Sequence, residues 1–134
     1  MVSIFSKIIS GEIGATRIYE DDVCIAILDI NPNNKGHALV IPKEEHETML
    51  ECPDEILKHL IVVAKKIAQK QYDVLKCDGI NIGINNKKAA GQEISHVHVH
   101  VIPRYFKDRY KLCFGHVAYD EGEIDKYGDM LKIN

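Results

Sequence analysis

The sequence predicts an α+β domain built on a largely antiparallel sheet. Two observations carry this. Short alternating segments, bounded by turn residues, lie on both sides of one long stretch with helical periodicity. One of them, His96-Val97-His98-Val99-His100-Val101-Ile102, alternates imidazole with valine. As a strand it turns three imidazoles to one face and three valines to the other. The 134 residues fit a single domain over residues 1–134, with 105–134 as a less regular tail.

Along the chain, Ile4, Phe5, Ile8 and Ile9 recur at helical spacing over about Ser3 to Ser10, and Gly11 ends that segment. A hairpin follows, with strands at Thr16 to Glu20 and Val23 to Leu28 and a turn at Asp21-Asp22. Asn31-Pro32-Asn33-Asn34-Lys35-Gly36 is a loop by composition, and His37 to Pro42 reads as a third strand. Pro53 suits the first turn of the long helix, and Asp54 and Glu55 complement the positive end of its dipole. Ile56, Leu60, Val63, Ala64 and Ile67 form its apolar stripe, whereas Lys58, Lys65, Lys66 and Lys70 read as solvated. Gly79 to Asn85 is the fourth strand, Asn86 to Glu93 a loop holding Gly91, and Ser95 to Pro103 the fifth strand. Beyond Arg104 the pattern weakens. Phe106, Tyr110, Phe114, Tyr119 and Tyr127 suggest a tail packed on the domain or on a partner.

The bulk numbers narrow the function classes. Hydrophobic residues at 46% and charged residues at 28% argue against disorder. A net charge of -3 argues against a nucleic-acid surface but leaves room for a small phosphate ligand. Cys24, Cys52, Cys77 and Cys113 are scattered and read as free thiols, not as disulfides or a Cys-x-x-Cys metal site. No apolar run has the length of a membrane span, and the opening segment is too short for a secretory signal. The expectation is a cytoplasmic protein with no membrane partner.

Three histidines on one strand face admit three readings. One is chance alternation of polar residues on an exposed face. A second is a metal site, with His37, His46, His59 or His116 supplying a further ligand. The third is nucleophilic catalysis at phosphorus, in which the middle imidazole attacks while its neighbours hold its tautomer and neutralise developing charge. Neutral imidazole is required, and positive neighbours favour it. Gly91, just ahead of the row, lets backbone N–H groups approach phosphate oxygens.

At these residues the chain resembles the histidine-triad family, whose signature is His-φ-His-φ-His-φ-φ with φ hydrophobic. Leu28-Asp29-Ile30-Asn31-Pro32 with Lys35-Gly36-His37-Ala38-Leu39-Val40-Ile41-Pro42-Lys43 is similar to the family's upstream block. Asn85 through Gly91-Gln92 is similar to its phosphate loop, and Ile4 through Ile13 to its opening, so the likeness runs collinearly over roughly residues 3 to 104.

The resemblance implies a five-stranded antiparallel sheet with two helices, paired as a homodimer into a ten-stranded sheet. It implies hydrolases and transferases acting on a nucleotide α-phosphate through a nucleotidyl-histidine, with no cofactor and no required metal. His98 matches the nucleophile, His100 the flanking histidine at the phosphate, and His96 and His37 the supporting pair. Asp29 matches the carboxylate on the ribose hydroxyls. Asn85, Gly91 and Gln92 match phosphate contacts. Phe5, Ile8, Ile13, Ile27 and Ile30 match the apolar slot for a purine base of an AMP-like ligand. The phosphoramidate-hydrolase branch is the expected one, with diadenosine-polyphosphate hydrolysis or an adaptor role as alternatives. Two departures stand out. Ser3 and Ser6 occupy the place where many members carry Cys-x-x-Cys for a structural zinc, so no such zinc is expected here, although His46 and His96 remain. Glu93 stands where several members have Ser or Thr.

Overall fold

The computed structural model describes residues 2–109 and 114–134, so Tyr110 and Cys113 lie outside the described residues. The elements are α1 (Ile4–Ile9), β1 (Arg17–Glu20), β2 (Cys24–Leu28), β3 (Ala38–Pro42), α2 (Asp54–Leu75), β4 (Gly79–Gly83), a 3-10 turn (Lys88–Ala90), β5 (Val99–Arg104) and α3 (Glu123–Leu131). The strands form one five-stranded sheet in the order β1-β2-β3-β5-β4, every described neighbour pair antiparallel. This is the expected sheet, carried with three helices instead of two.

Strand alternation divides the core between two faces. Cys24 and Ala26 of β2, Ala38 and Val40 of β3, and Val99 and Val101 of β5 pack with Leu60, Val63, Ala64 and Ile67 of α2. The intervening Ile25, Ile27, Leu39 and Ile41 pack with Phe5 and Ile8 of α1. The long helix therefore seals one face, and the short helix only partly roofs the other. Gln71 is the one polar side chain buried in α2, and its Nε2 donates to Gly36 O and Val101 O at 3.0 Å each. Gly36, with φ +95, packs where a Cβ would come within 2.8 Å of Leu75 Cδ1.

Two strand boundaries differ from expectation by more than one residue. The fourth strand stops at Gly83, not Asn85. The fifth begins at Val99, not Ser95, so His96 and His98 precede it. The cause is local: His96 N–H bonds Ile94 O at 2.8 Å, and Val97 N–H bonds His46 O at 2.7 Å, outside the sheet ladder. The alternation nevertheless survives, with Val97, Val99 and Val101 all buried. The tail contains α3, and none of its residues is buried. Near Arg104 the chain is tied down firmly. Asp108 accepts from Arg104 Nε at 2.8 Å and from Asn34 Nδ2 at 3.0 Å, joining the end of β5 to the loop before β3.

Candidate active site

The face roofed by α1 opens into a cleft of about 620 Å³. His37, His98, His100, Asp29, Asn85, Gly91, Phe5, Ile8, Ile13, Ile27 and Ile30 all line it. Phe5, Ile8 and Ile27 are buried, while Ile13 and Ile30 stand exposed at the mouth. His96 and Gln92 are not among the lining residues. His96 is fully buried beneath the site. The Gln92 side chain bonds within its own loop and across to a neighbouring segment: Oε1 accepts from Lys87 N–H, and Nε2 donates to Ile94 O and to Glu47 O. Its side chain therefore ties the loop down and does not line the cleft.

Neighbouring backbone groups fix the histidine tautomers. A carbonyl only accepts, and an amide N–H only donates. His98 Nδ1 lies 2.8 Å from His96 O and so carries the proton. His98 Nε2 is then the bare nitrogen; it has no hydrogen-bond partner among the described residues and is not sealed from solvent. His96 Nε2 donates to Pro42 O at 2.9 Å, so its Nδ1 accepts from Ser3 Oγ at 2.7 Å. His37 Nδ1 accepts from Asn33 N–H at 3.1 Å, which puts the His37 proton on Nε2. That proton is donated to His100 Nδ1 at 3.0 Å, leaving His100 with its own proton on Nε2.

Electrostatics favour the same neutral states. Burial pushes His37, His96 and His98 below the ordinary imidazole value. Burial, with the charges of His98 and His37 beside it, takes His100 down to about 4. Phe5 packs edge-on against His96 and His98, with ring centroids 5.8 and 5.0 Å away, and His98 meets His100 at 4.8 Å. Asp29 Oδ1 accepts from Asn31 N–H at 2.8 Å, and its Oδ2 lies 3.8 Å from His37 Nε2. Gly91, at φ +94, sits where a Cβ would meet Asn85 Nδ2 at 3.7 Å.

Against this geometry, a family model for the HIT domain matches residues 10–107. The chain is a member of the HIT family. An uncharacterized HIT-like protein of Methanocaldococcus jannaschii is 50% identical over 98% of this chain and 91% of its own length. The adenosine 5'-monophosphoramidase HNT1 of Saccharomyces cerevisiae is 39% identical, over 96% of this chain and 78% of its own. Among solved structures, a HIT-family protein from Bacillus subtilis superposes with a TM-score of 0.89 at 36% identity, covering 98% of this chain and 95% of that one.

The place of the structural zinc in this HIT domain is built differently. Ser3 Oγ bonds His96, and Ser6 Oγ donates to Glu45 Oε1 at 3.0 Å, which also accepts from Ser3 N–H at 2.8 Å. Hydroxyls that already serve as donors to imidazole and carboxylate do not fit zinc. Elsewhere among the described residues, Asp21, Cys24 and His59 form one group with ligand atoms within 4.8 Å, and Asp29, His37 and His100 another. The first is closed on itself, with Asp21 Oδ2 accepting from Tyr19 Oη at 2.7 Å and lying 2.6 Å from His59 Nε2. Sequence reading missed two contributors. Asn33 acts through a backbone N–H, which no side-chain pattern reveals. Ser3 stands out in the sequence for the thiol it lacks, not for the hydroxyl it supplies to His96.

Proposed function

We propose that this chain is a nucleotide hydrolase acting at the α-phosphate of adenosine phosphoramidates through a nucleotidyl-His98 intermediate. The observation that carries the reading is the bare Nε2 of His98, open to the cleft while Nδ1–H is tied to a carbonyl. The purine lies in the slot of Phe5, Ile8 and Ile27, with Ile13 and Ile30 at its mouth, and Asp29 accepts from the ribose hydroxyls. The α-phosphate rests on the Gly91 backbone, Asn85 and His100 Nε2–H. The Nε2 lone pair attacks phosphorus as the P–N bond breaks, and the departing nitrogen takes its pair and one proton from solvent. His96 O stabilises the positive charge that forms on the His98 ring. Water then attacks phosphorus, the pair returns to Nε2, and one proton is released with the nucleoside monophosphate. The two steps sum to hydrolysis. The relative with a monophosphoramidase name supports the amine leaving group over a polyphosphate one.

The test is His98→Gly. Turnover of an adenosine 5'-phosphoramidate should vanish while AMP still binds by calorimetry. Near-normal turnover in that variant overturns the assignment.

A homodimer is part of the same proposal. Strand β4 lies at the sheet edge, with Ile82 exposed, and Ile124, Met130 and Leu131 of α3 are uncovered. Unpaired strand edges beside apolar surface invite a second chain. Light scattering at twice the monomer mass supports it, and monomer mass at micromolar concentration refutes it.

A further inference from the structure

A second hollow, of about 800 Å³, adjoins the cleft at the loop before the histidines. The two share only Gly91 and Glu93 among their lining residues. Glu93 is exposed and makes no hydrogen bond or ion pair among the described residues. The other charges of the hollow stand apart from the reacting centre. Lys87 Nζ lies 3.6 Å from Glu47 Oε1, and Lys88 lines the outer hollow but not the cleft. Among the described residues Glu93 is therefore the one charge common to the phosphate region and the space beyond it, and its field reaches His98.

From this juxtaposition we infer that the second hollow is the leaving-group subsite, and that Glu93 selects an amine carrying a further positive charge. The inference rests on the hydrolase reading above. As the P–N bond breaks, the departing amine leaves past Gly91 and Glu93. A free carboxylate there attracts an ammonium a few bonds from the reacting nitrogen and repels a carboxylate, sulfate or polyphosphate chain. A Ser or Thr at this position makes no such distinction by charge.

Two substrates of matched length test it: the adenosine 5'-phosphoramidates of 1,3-diaminopropane, ending in ammonium, and of β-alanine, ending in carboxylate. The wild-type kcat/KM ratio should favour the ammonium compound by about two- to fivefold, the scale of one exposed charge contact. Glu93→Gln and Glu93→Ser should both bring that ratio close to one, Glu93→Lys should invert it, and added salt should shrink it. An unchanged ratio in Glu93→Gln, or no preference in the wild type, overturns the inference while leaving the hydrolase reading intact. If the wild type turns over neither compound, the hydrolase reading fails. Calorimetry of both compounds on the wild type then decides the charge preference, equal affinities refuting it and tighter binding of the ammonium compound supporting it.

Discussion

His37 Nε2 and His100 Nδ1 sit 3.0 Å apart, and a single proton lies between them. Because Asn33 N–H occupies the other nitrogen of His37, that proton belongs to His37, and His100 keeps its own proton on Nε2. A loop amide thus sets what the second imidazole of the row offers to a ligand. Removing such an orienting partner typically costs about 10- to 100-fold. His37→Ala should lower kcat on an adenosine phosphoramidate by about tenfold with little change in KM, read by steady-state kinetics. It should also raise the titration point of His100, since the His37 charge is one cause of its depression.

Stability should fall on mild acidification. His37, His96, His98 and His100 all titrate below their ordinary value, His100 at about 4. The unfolded chain takes up these protons near 6.5, so between that pH and about 4 it binds more protons than the folded one, and folding weakens as pH drops. The carboxylates held low by partners, Glu20, Glu45, Glu51, Asp21 and Asp108, lose their stabilising effect only as pH falls below their ordinary 4.5 or 3.8. A Tm series from pH 7.5 to 4.5 should decline, and His100→Gln should flatten it. A level profile refutes this account.

The same depression keeps His98 neutral, so the acid limb of kcat/KM should lie below 6.5. A half-maximal point at or above 6.5 in a pH–rate profile contradicts it.

Ser3→Ala removes two bonds at once. Ser3 Oγ caps α1 through Ser6 N–H at 3.0 Å and supplies the partner of His96 Nδ1. The loss should be about 1–2 kcal/mol by urea unfolding, with a raised KM because Phe5 rides on α1. Ser6→Ala, whose hydroxyl serves an exposed contact, should cost less.

Lys87 adopts φ 74 and ψ 161, a conformation natural to glycine. Lys87→Gly should therefore stabilise the fold by about 1 kcal/mol, since the ion pair lost with it is solvent-exposed. A lower unfolding midpoint contradicts this.

A chelator separates the two chemistries that three histidines permit. Activity after treatment with EDTA should be unchanged. Loss of turnover, restored by zinc, would instead place a metal on Asp29, His37 and His100.

Much of the fold was legible because alternation and helical stripes report burial directly. Val97, Val99 and Val101 read as a core face and are one. The start of β5 was not legible, because it depends on Val97 N–H finding His46 O instead of a strand neighbour. Position in the row likewise does not reveal depth: His96 and His98 belong to one alternation, yet only His98 reaches the cleft. The partners that set tautomers, Pro42 O and Asn33 N–H, are backbone groups, the carbonyl available from any residue type and the N–H from any but proline. The partners of the Gln92 amide are equally invisible in the sequence: Lys87 N–H and Ile94 O lie beside it in the chain, and Glu47 O comes from the segment before α2.

The two-residue beat from His96 to Val101 has a genetic consequence. Deleting or inserting one codon there would swap the inward and outward sets together, burying imidazoles under α2 and presenting valines to the nucleotide. Exchanges of one aliphatic for another at Val97, Val99 or Val101 keep the beat and should be survivable, whereas a frame-preserving indel of one residue should be null. A saturation library carrying both kinds of change would separate them in one selection.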